Sequence, residues 1–213
     1  MYLMGIKERK ERERDRRRQQ LIVAAKRIFT KKDFNRATME DIAKEAEVSP
    51  GTIYLYFKNK DELFVSLSLR ILQFLCIRVE HVRNEEGADA LAKLDRLIET
   101  MYDVHDFDPM NFIHIFHLKS NDILKNLSRE MVSEINKLSK KSMNAIAGIF
   151  KDGIEKGVII DRPPLVMAEI LWSLFSGIVL WESSKKIVNG NKDDLKETLG
   201  IAFEIFQKGI IIA

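Results

Sequence analysis

Thr52, Tyr54 and Tyr56, with Lys58 and Lys60 close behind, put three hydroxyls and two ammonium groups into nine residues. Such groups donate to anionic oxygens, and tyrosine rings also pack on sugars or a thymine methyl. Their chemistry is recognition of a phosphodiester surface. Gly51 adds an open approach at a helix start, where unsatisfied backbone N–H groups attract an anion. Lys60 falls in the first turn of the next helix, where the macrodipole disfavours a cation, and a nearby phosphate would resolve that conflict, as would Asp61 and Glu62.

The elements that must position these groups are legible from caps and periodicity. Ser49 is a good N-cap and Pro50 suits the first helical position, so the Pro-Gly pair starts a short helix over about 50–57. Stepping ~100° per residue puts Ile53 and Phe57 on one face, which should be buried. Gly51 and Leu55 point the opposite way, Thr52 and Tyr56 form one flank, and Tyr54 forms the other. Burial accounts for Ile53 and Phe57 but not for the hydroxyl-bearing arc. Before it, Thr38 with Asp41 three residues on is close to a capping box, and opens a helix of about two turns that buries Ile42, Ala43 and Ala46. Asn59, with Glu62 as box partner, caps a long helix that carries Leu63, Leu67, Ile71, Phe74 and Leu75 to about Arg83. Helix, tight turn, short helix is the helix-turn-helix layout. A helical hairpin inside a bundle has the same local spacing.

Charge agrees with a polyanion partner for this end alone. The 213-residue chain carries a formal +3, but residues 1–60 hold 16 Lys and Arg against 9 Asp and Glu, and residues 61–213 hold 19 against 23. Its first part, "KERKERERDRRRQQ", is either a solvated, partly helical arm or a basic arm that rests on phosphates. Helical periodicity begins at Leu21 and continues through Ala24, Ala25, Ile28 and Phe29, and residues 33–37 read as a loop.

With these residues in view, "LIVAAKRIFTKKDFNRATMEDIAKEAEVSPGTIYLYFKNKDEL" resembles the N-terminal domain of the TetR family of transcriptional regulators. The landmarks are Ala24, Ala25, Phe29, Thr38, Ile42, Ala43, Val48, Ser49, Gly51, Thr52, Tyr54, Phe57, Lys60 and Leu63. The loop Phe34-Asn35-Arg36-Ala37 departs from the family, which often has Gly and an aromatic before the Thr. The resemblance implies that Thr38, Ser49, Gly51, Thr52, Tyr54, Tyr56 and Lys60 lie at DNA, with Thr38 and Lys60 on phosphates. Pro50, Gly51, Thr52 and Leu55 would lie nearest the base edges. Since Pro50 and Leu55 offer only apolar contacts, operator choice is expected to lean partly on DNA shape.

The expected fold is all-α, with about nine helices. A DNA-binding domain over 1–60, with its basic arm, precedes a larger helical ligand-binding and dimerisation domain over 61–213. Further helices are expected over about 89–104, 109–119, 124–156, 164–184 and 193–211. "GVII" and "GIIIA" are too short to be strands. The apolar run 165–181 is shorter than the ~20 residues of a membrane span and contains Glu169, so it reads as a buried helix. The resemblance implies that the last two helices pair with their copies in a four-helix bundle. Leu171, Ser173, Leu174, Gly177, Ile178, Trp181, Phe203 and Phe206 are the expected interface of that homodimer.

Phe74, Met101, Tyr102, Phe107, Phe112, Phe116, Met143 and Phe150 either line an apolar effector pocket or simply fill the core. His105, His114 and His117 beside Asp106 and Asp108 lack any cysteine partner, and no metal site or cofactor is expected. Cys76, the only cysteine, sits in an apolar run as an inert thiol, consistent with a reducing cytoplasm; no signal peptide is evident. Neither a catalytic constellation nor a phosphate-binding glycine loop stands at informative spacing, so catalysis is not expected. Two readings remain. One is a homodimeric repressor that grips two DNA half-sites and is released by a small apolar effector. The other is a DNA-associated interaction protein whose C-terminal domain binds a protein.

Overall fold

The computed structural model describes residues 2–32, 34–112, 125–189 and 194–212, with backbone alone at 2–4, 110–111 and 186–189. The described residues are helical nearly throughout and fall into two compact units. The first comprises residues 2–70 with 125–132, the second 71–112 with 133–212.

In the first unit, α1 (Tyr2–Lys32), α2 (Met39–Glu45), α3 (Pro50–Ile53) and the start of α4 (Lys60–Arg83) enclose one core. Leu21, Ala25, Ile42, Ala43, Ile53, Phe57 and Leu63 are almost wholly buried there. The expected capping box is present: Thr38 Oγ1 accepts from Asp41 N–H at 3.1 Å, and Asp41 accepts from Thr38 N–H at 3.2 Å. The turn after α2 is tight, as expected. Val48 N–H reaches Ala43 O at 2.9 Å and Glu47 N–H reaches Lys44 O at 3.1 Å, a Schellman closure. Its left-handed position is filled by Glu47, at φ 55°, rather than by glycine. The charge-dense lead-in is helical and continuous with α1.

Two boundaries differ from expectation. The short helix ends at Ile53 instead of about Phe57, because Leu55 and Tyr56 donate to carbonyls three residues back, giving a tighter turn. The break between units falls after Arg70, within α4, rather than after residue 60. α4 therefore belongs to both.

The second unit contains the rest of α4, α5 (Ala90–Phe107), α6 (Pro109–Phe112), most of α7 (Arg129–Glu155), α8 (Pro164–Asn189) and α9 (Leu195–Ile210). Leu124, the expected start of α7, lies outside the described residues. The helix begins at Arg129, where Ser128 Oγ accepts from Met131 N–H at 3.3 Å. Phe112, Phe150, Phe175 and Phe203 are buried; Phe175 meets Phe112 edge-to-face and stacks with Phe203, and Phe150 meets Phe206 edge-to-face. "GVII" and "GIIIA", too short to stand as strands alone, pair with each other. An antiparallel bridge joins Ile159 to Ile211, with Ile160 N–H on Ile210 O at 2.9 Å and Ile212 N–H on Val158 O at 3.1 Å. Gly153 makes room beneath it, since a Cβ there would collide with the Ile159 side chain.

Candidate nucleic-acid interface

The candidate surface is built on two anchors. Ile53 and Phe57 are fully buried, so the backbone between them must present its other side outward. Leu55 is 74% exposed and Tyr54 50%. Gly51 is exposed, with only Ser49 Oγ near a Cβ built on it, at 4.0 Å. Ser49 Oγ accepts from Thr52 N–H at 3.2 Å and lies 2.8 Å from Thr52 Oγ1, so cap and hydroxyl form one ordered pair beside exposed Pro50. Tyr56 is half-buried and packs on the core, and Lys58 is exposed. Exposed Thr38 stands at the start of α2. Together these groups make a surface of hydroxyls, rings and one open lysine over a rigid apolar floor.

Lys60 behaves differently from its neighbours. Its Nζ donates to Phe34 O at 2.6 Å and to Ala37 O at 3.0 Å, and lies 4.4 Å from the centroid of the Phe34 ring. Two of its three donors thus hold the loop before α2, which leaves one for an external anion. The first-turn conflict with the α4 dipole is settled internally, by these carbonyls and by Asp61 and Glu62 in the same turn. The α4 cap is as expected in part. Asn59 Oδ1 accepts from Glu62 N–H at 2.9 Å, but the Glu62 carboxylate reaches Lys58 N–H at 2.8 Å instead of closing a box on Asn59.

Three supports escaped sequence reasoning. The Arg18 guanidinium lies 4.8 Å from the Phe57 ring centroid and donates to Ser66 Oγ at 3.1 Å, fastening α1 to the end of the reading turn. Burial pushes its pKa down, and Glu62 opposes this. Its signal was available, because Arg18 falls on the helical stripe of Ile22, Ala25 and Phe29. Asn126 donates to Asp61 at 2.9 Å and accepts from Asn59 at 3.1 Å, tying residues 125–132 to the α4 cap. No local pattern announces a contact 67 residues away. Lys32 donates to Asp41 at 2.6 Å. That bond is the main cause of the lowered Asp41 pKa, with help from the Thr38 backbone.

Among the expected pocket residues, Met101, Phe112 and Phe150 are fully buried. Phe74 and Phe107 stack at 4.4 Å, with Phe107 exposed. Tyr102, half-buried, packs on Phe203, and burial raises its pKa; Met143 is also half-buried. Phe116, His114 and His117 lie outside the described residues. His105 pairs with Asp106 at 3.1 Å, and among the described residues no cluster of metal-ligand type occurs.

The expected interface divides in two. Leu171 and Phe203 point into their own unit and are buried. Ser173, Gly177 and Trp181 are exposed, while Leu174, Ile178 and Phe206 are half-buried. Val166 and Ile170 are also exposed and extend the strip along α8, and α9 adds Ile201 and Ile205. α8 is thus open on one side rather than buried all round. By length and composition it could cross a membrane, with mean hydropathy 1.7 over 164–185 and 28% of its most apolar window buried.

The profile of the bacterial regulatory proteins of the tetR family matches residues 21–67, the segment that builds this surface. Over nearly the whole chain, the sequence is similar to the fatty acid metabolism regulator protein of Bacillus subtilis. They are 28% identical over 90% of this chain and 94% of that one. The nicotine-responsive transcriptional repressor of Paenarthrobacter nicotinovorans is 30% identical over 62% of this chain and 69% of its own. Among solved structures, the transcriptional regulator FadR of Bacillus subtilis in complex with stearoyl-CoA superposes with a TM-score of 0.67. It is 27% identical and covered over 98% of its length, against 90% of this chain. These relatives are regulators of transcription, not enzymes. An exposed turn on a buried apolar floor, within the segment that the family profile matches, leads to one conclusion: the chain belongs to the TetR family of bacterial transcriptional regulators.

Proposed function

We propose that this regulator is a repressor that grips two operator half-sites as a homodimer and lets go when a long-chain fatty acyl-CoA enters its second unit. The observation that carries the DNA part is the outward arc of Gly51, Thr52, Tyr54 and Leu55 above buried Ile53 and Phe57. Thr38, Ser49, Pro50, Tyr56 and Lys58 complete the contact, and Lys60 adds its remaining donor. The effector class rests on similarity to a Bacillus subtilis regulator whose structure holds stearoyl-CoA. The apolar, ring-rich interior of the second unit suits an acyl chain. Half-buried Phe74, Tyr102 and Met143 keep surface that a bound chain would cover. The exposed strips of α8 and α9 are the surface on which a second copy packs, because side chains such as Trp181 and Ile205, 65% and 66% exposed, are otherwise left in water.

The test uses a duplex selected from a random-sequence pool by the wild-type protein, followed by fluorescence anisotropy. Stearoyl-CoA is expected to release the duplex, and coenzyme A alone is not. Retention of DNA at saturating stearoyl-CoA contradicts the acyl effector and favours a second unit that binds a protein partner.

A further inference from the structure

The N-terminal half of α1 has no role in the reading turn, yet it is the most densely charged part of the chain. Residues 5–16 are all exposed, and from residue 5 onward the first buried position is Leu21. At ~1.5 Å per residue, the segment from Tyr2 to Arg17 is a rod of roughly 24 Å with little packing of its own. It is held by continuity with α1 and by local pairs such as Arg16–Glu13 at 2.6 Å.

The charges on this rod are sorted by face. With Lys7 as the origin and ~100° per residue, Lys7, Lys10, Arg14, Arg17 and Arg18 fall within about 100° of arc. Glu8, Glu11 and Asp15 group to one side of that arc, and Glu13 lies beyond the other, committed to Arg16. The basic arc therefore contains no acid. It runs on into Leu21, Ala25 and Ile28, which face the core, so it lies on the side of α1 that the reading domain occupies. Arg18 marks the join, seated over the Phe57 ring at the end of the reading turn.

We propose that this helical arm is a second DNA-binding surface, in which Lys7, Lys10, Arg14 and Arg17 sit on backbone phosphates flanking the half-site that α3 reads. The inference rests on the DNA-binding function proposed above and adds contacts that no reading-turn residue makes. The ligand class follows from charge and shape. A straight row of cations spaced about one turn apart, with no acid in its arc, matches a line of phosphates rather than the edges of bases. Continuity with the reading turn makes duplex DNA the polyanion. The arm contributes affinity and salt dependence, and leaves sequence preference to α3.

The experiment compares two full-length variants with equal loss of charge. One neutralises the arc (Lys7→Gln, Lys10→Gln, Arg14→Gln), the other the remaining faces (Arg9→Gln, Arg12→Gln, Arg16→Gln). Binding to a random-sequence duplex of about 40 base pairs is measured across salt concentration, with circular dichroism to check that helix content is kept. The arc variant is expected to flatten the log–log salt slope by about 2.7 per arm, at ~0.9 for each lost phosphate contact. The other variant is expected to change it by less than half as much. Equal flattening by both, or none by the arc variant, overturns the proposal. Tyr54→Ala on the selected duplex separates the two levels. If it leaves specific binding intact, the reading surface itself is misassigned; if only the arc variant fails, the arm alone is.

Discussion

Glu47 occupies the left-handed position of the turn between α2 and α3, a conformation that costs an L-residue roughly 1–2 kcal/mol. Glu47→Gly removes that cost and returns part of it as added freedom in the unfolded chain, so it should stabilise the protein by about 0.5–1 kcal/mol in urea titration. The lysines at the next turn separate by role. Lys60→Gln leaves the Phe34 and Ala37 carbonyls without their charged donor and should lower stability by about 1–2 kcal/mol. Lys58→Gln touches only an exposed ammonium and should instead flatten the salt dependence of DNA binding by ~0.9 per site. Asp41 makes the acid side testable. Its folded pKa lies below the unfolded value, so its contribution is complete above the ordinary carboxylate range and is lost as pH falls through the folded value. The melting-temperature gap between wild type and Asp41→Asn should be widest near neutrality and close below about pH 4. Residue types and caps were legible here because Thr38, Ser49 and Asn59 each act within three residues. Lys60 was not, because its partners lie 23 and 26 residues back and spacing alone cannot distinguish a carbonyl from a phosphate.

Helices were legible where period and cap agreed, as in α2 and α5, which follow Thr38 and Asp89, and α8, which opens at Pro164. They were less so where hydrogen bonding changes without a change in pattern. The short helix switches to three-residue bonds at Leu55 and Tyr56, while Phe57 N–H still reaches Ile53 O four residues back. The Ile159–Ile211 pairing joins segments about fifty residues apart, each too short to signal a strand. It rests on Gly153, where any side chain meets Ile159. Gly153→Ala should therefore cost about 1–3 kcal/mol by overpacking, measured by thermal or denaturant unfolding. Gly177→Ala, with open space at its Cβ, is the control and should leave the monomer's stability nearly unchanged.

At the scale of the whole molecule, two reading surfaces must sit about 34–36 Å apart to enter successive major grooves of one duplex. The proposed homodimer through α8 and α9 would supply the pair. α4, which starts beside the reading turn and continues into the second unit, is the covalent route by which an effector would alter that spacing. An effector does so only if it binds the two spacings with different affinity. Ile170→Glu would place a carboxylate in each half of a symmetric contact, and should raise the dimer dissociation constant more than about 100-fold in sedimentation equilibrium. The family, the helical fold and the outward exposure of Tyr54 and Leu55 were readable in the sequence because they depend on short-range pattern. The inward turn of Leu171 and Phe203 was not, because a helix apolar on all sides does not reveal which side its own domain covers. The central claim is that the exposed arc of α3 and its following turn is what grips DNA. Its most direct test is the affinity of a Tyr54→Ala, Leu55→Ala double variant for the selected duplex, measured together with its melting temperature. Because both side chains face solvent, melting should be unchanged while affinity falls by at least about 30-fold. Undiminished affinity, or a loss that tracks unfolding, contradicts the account.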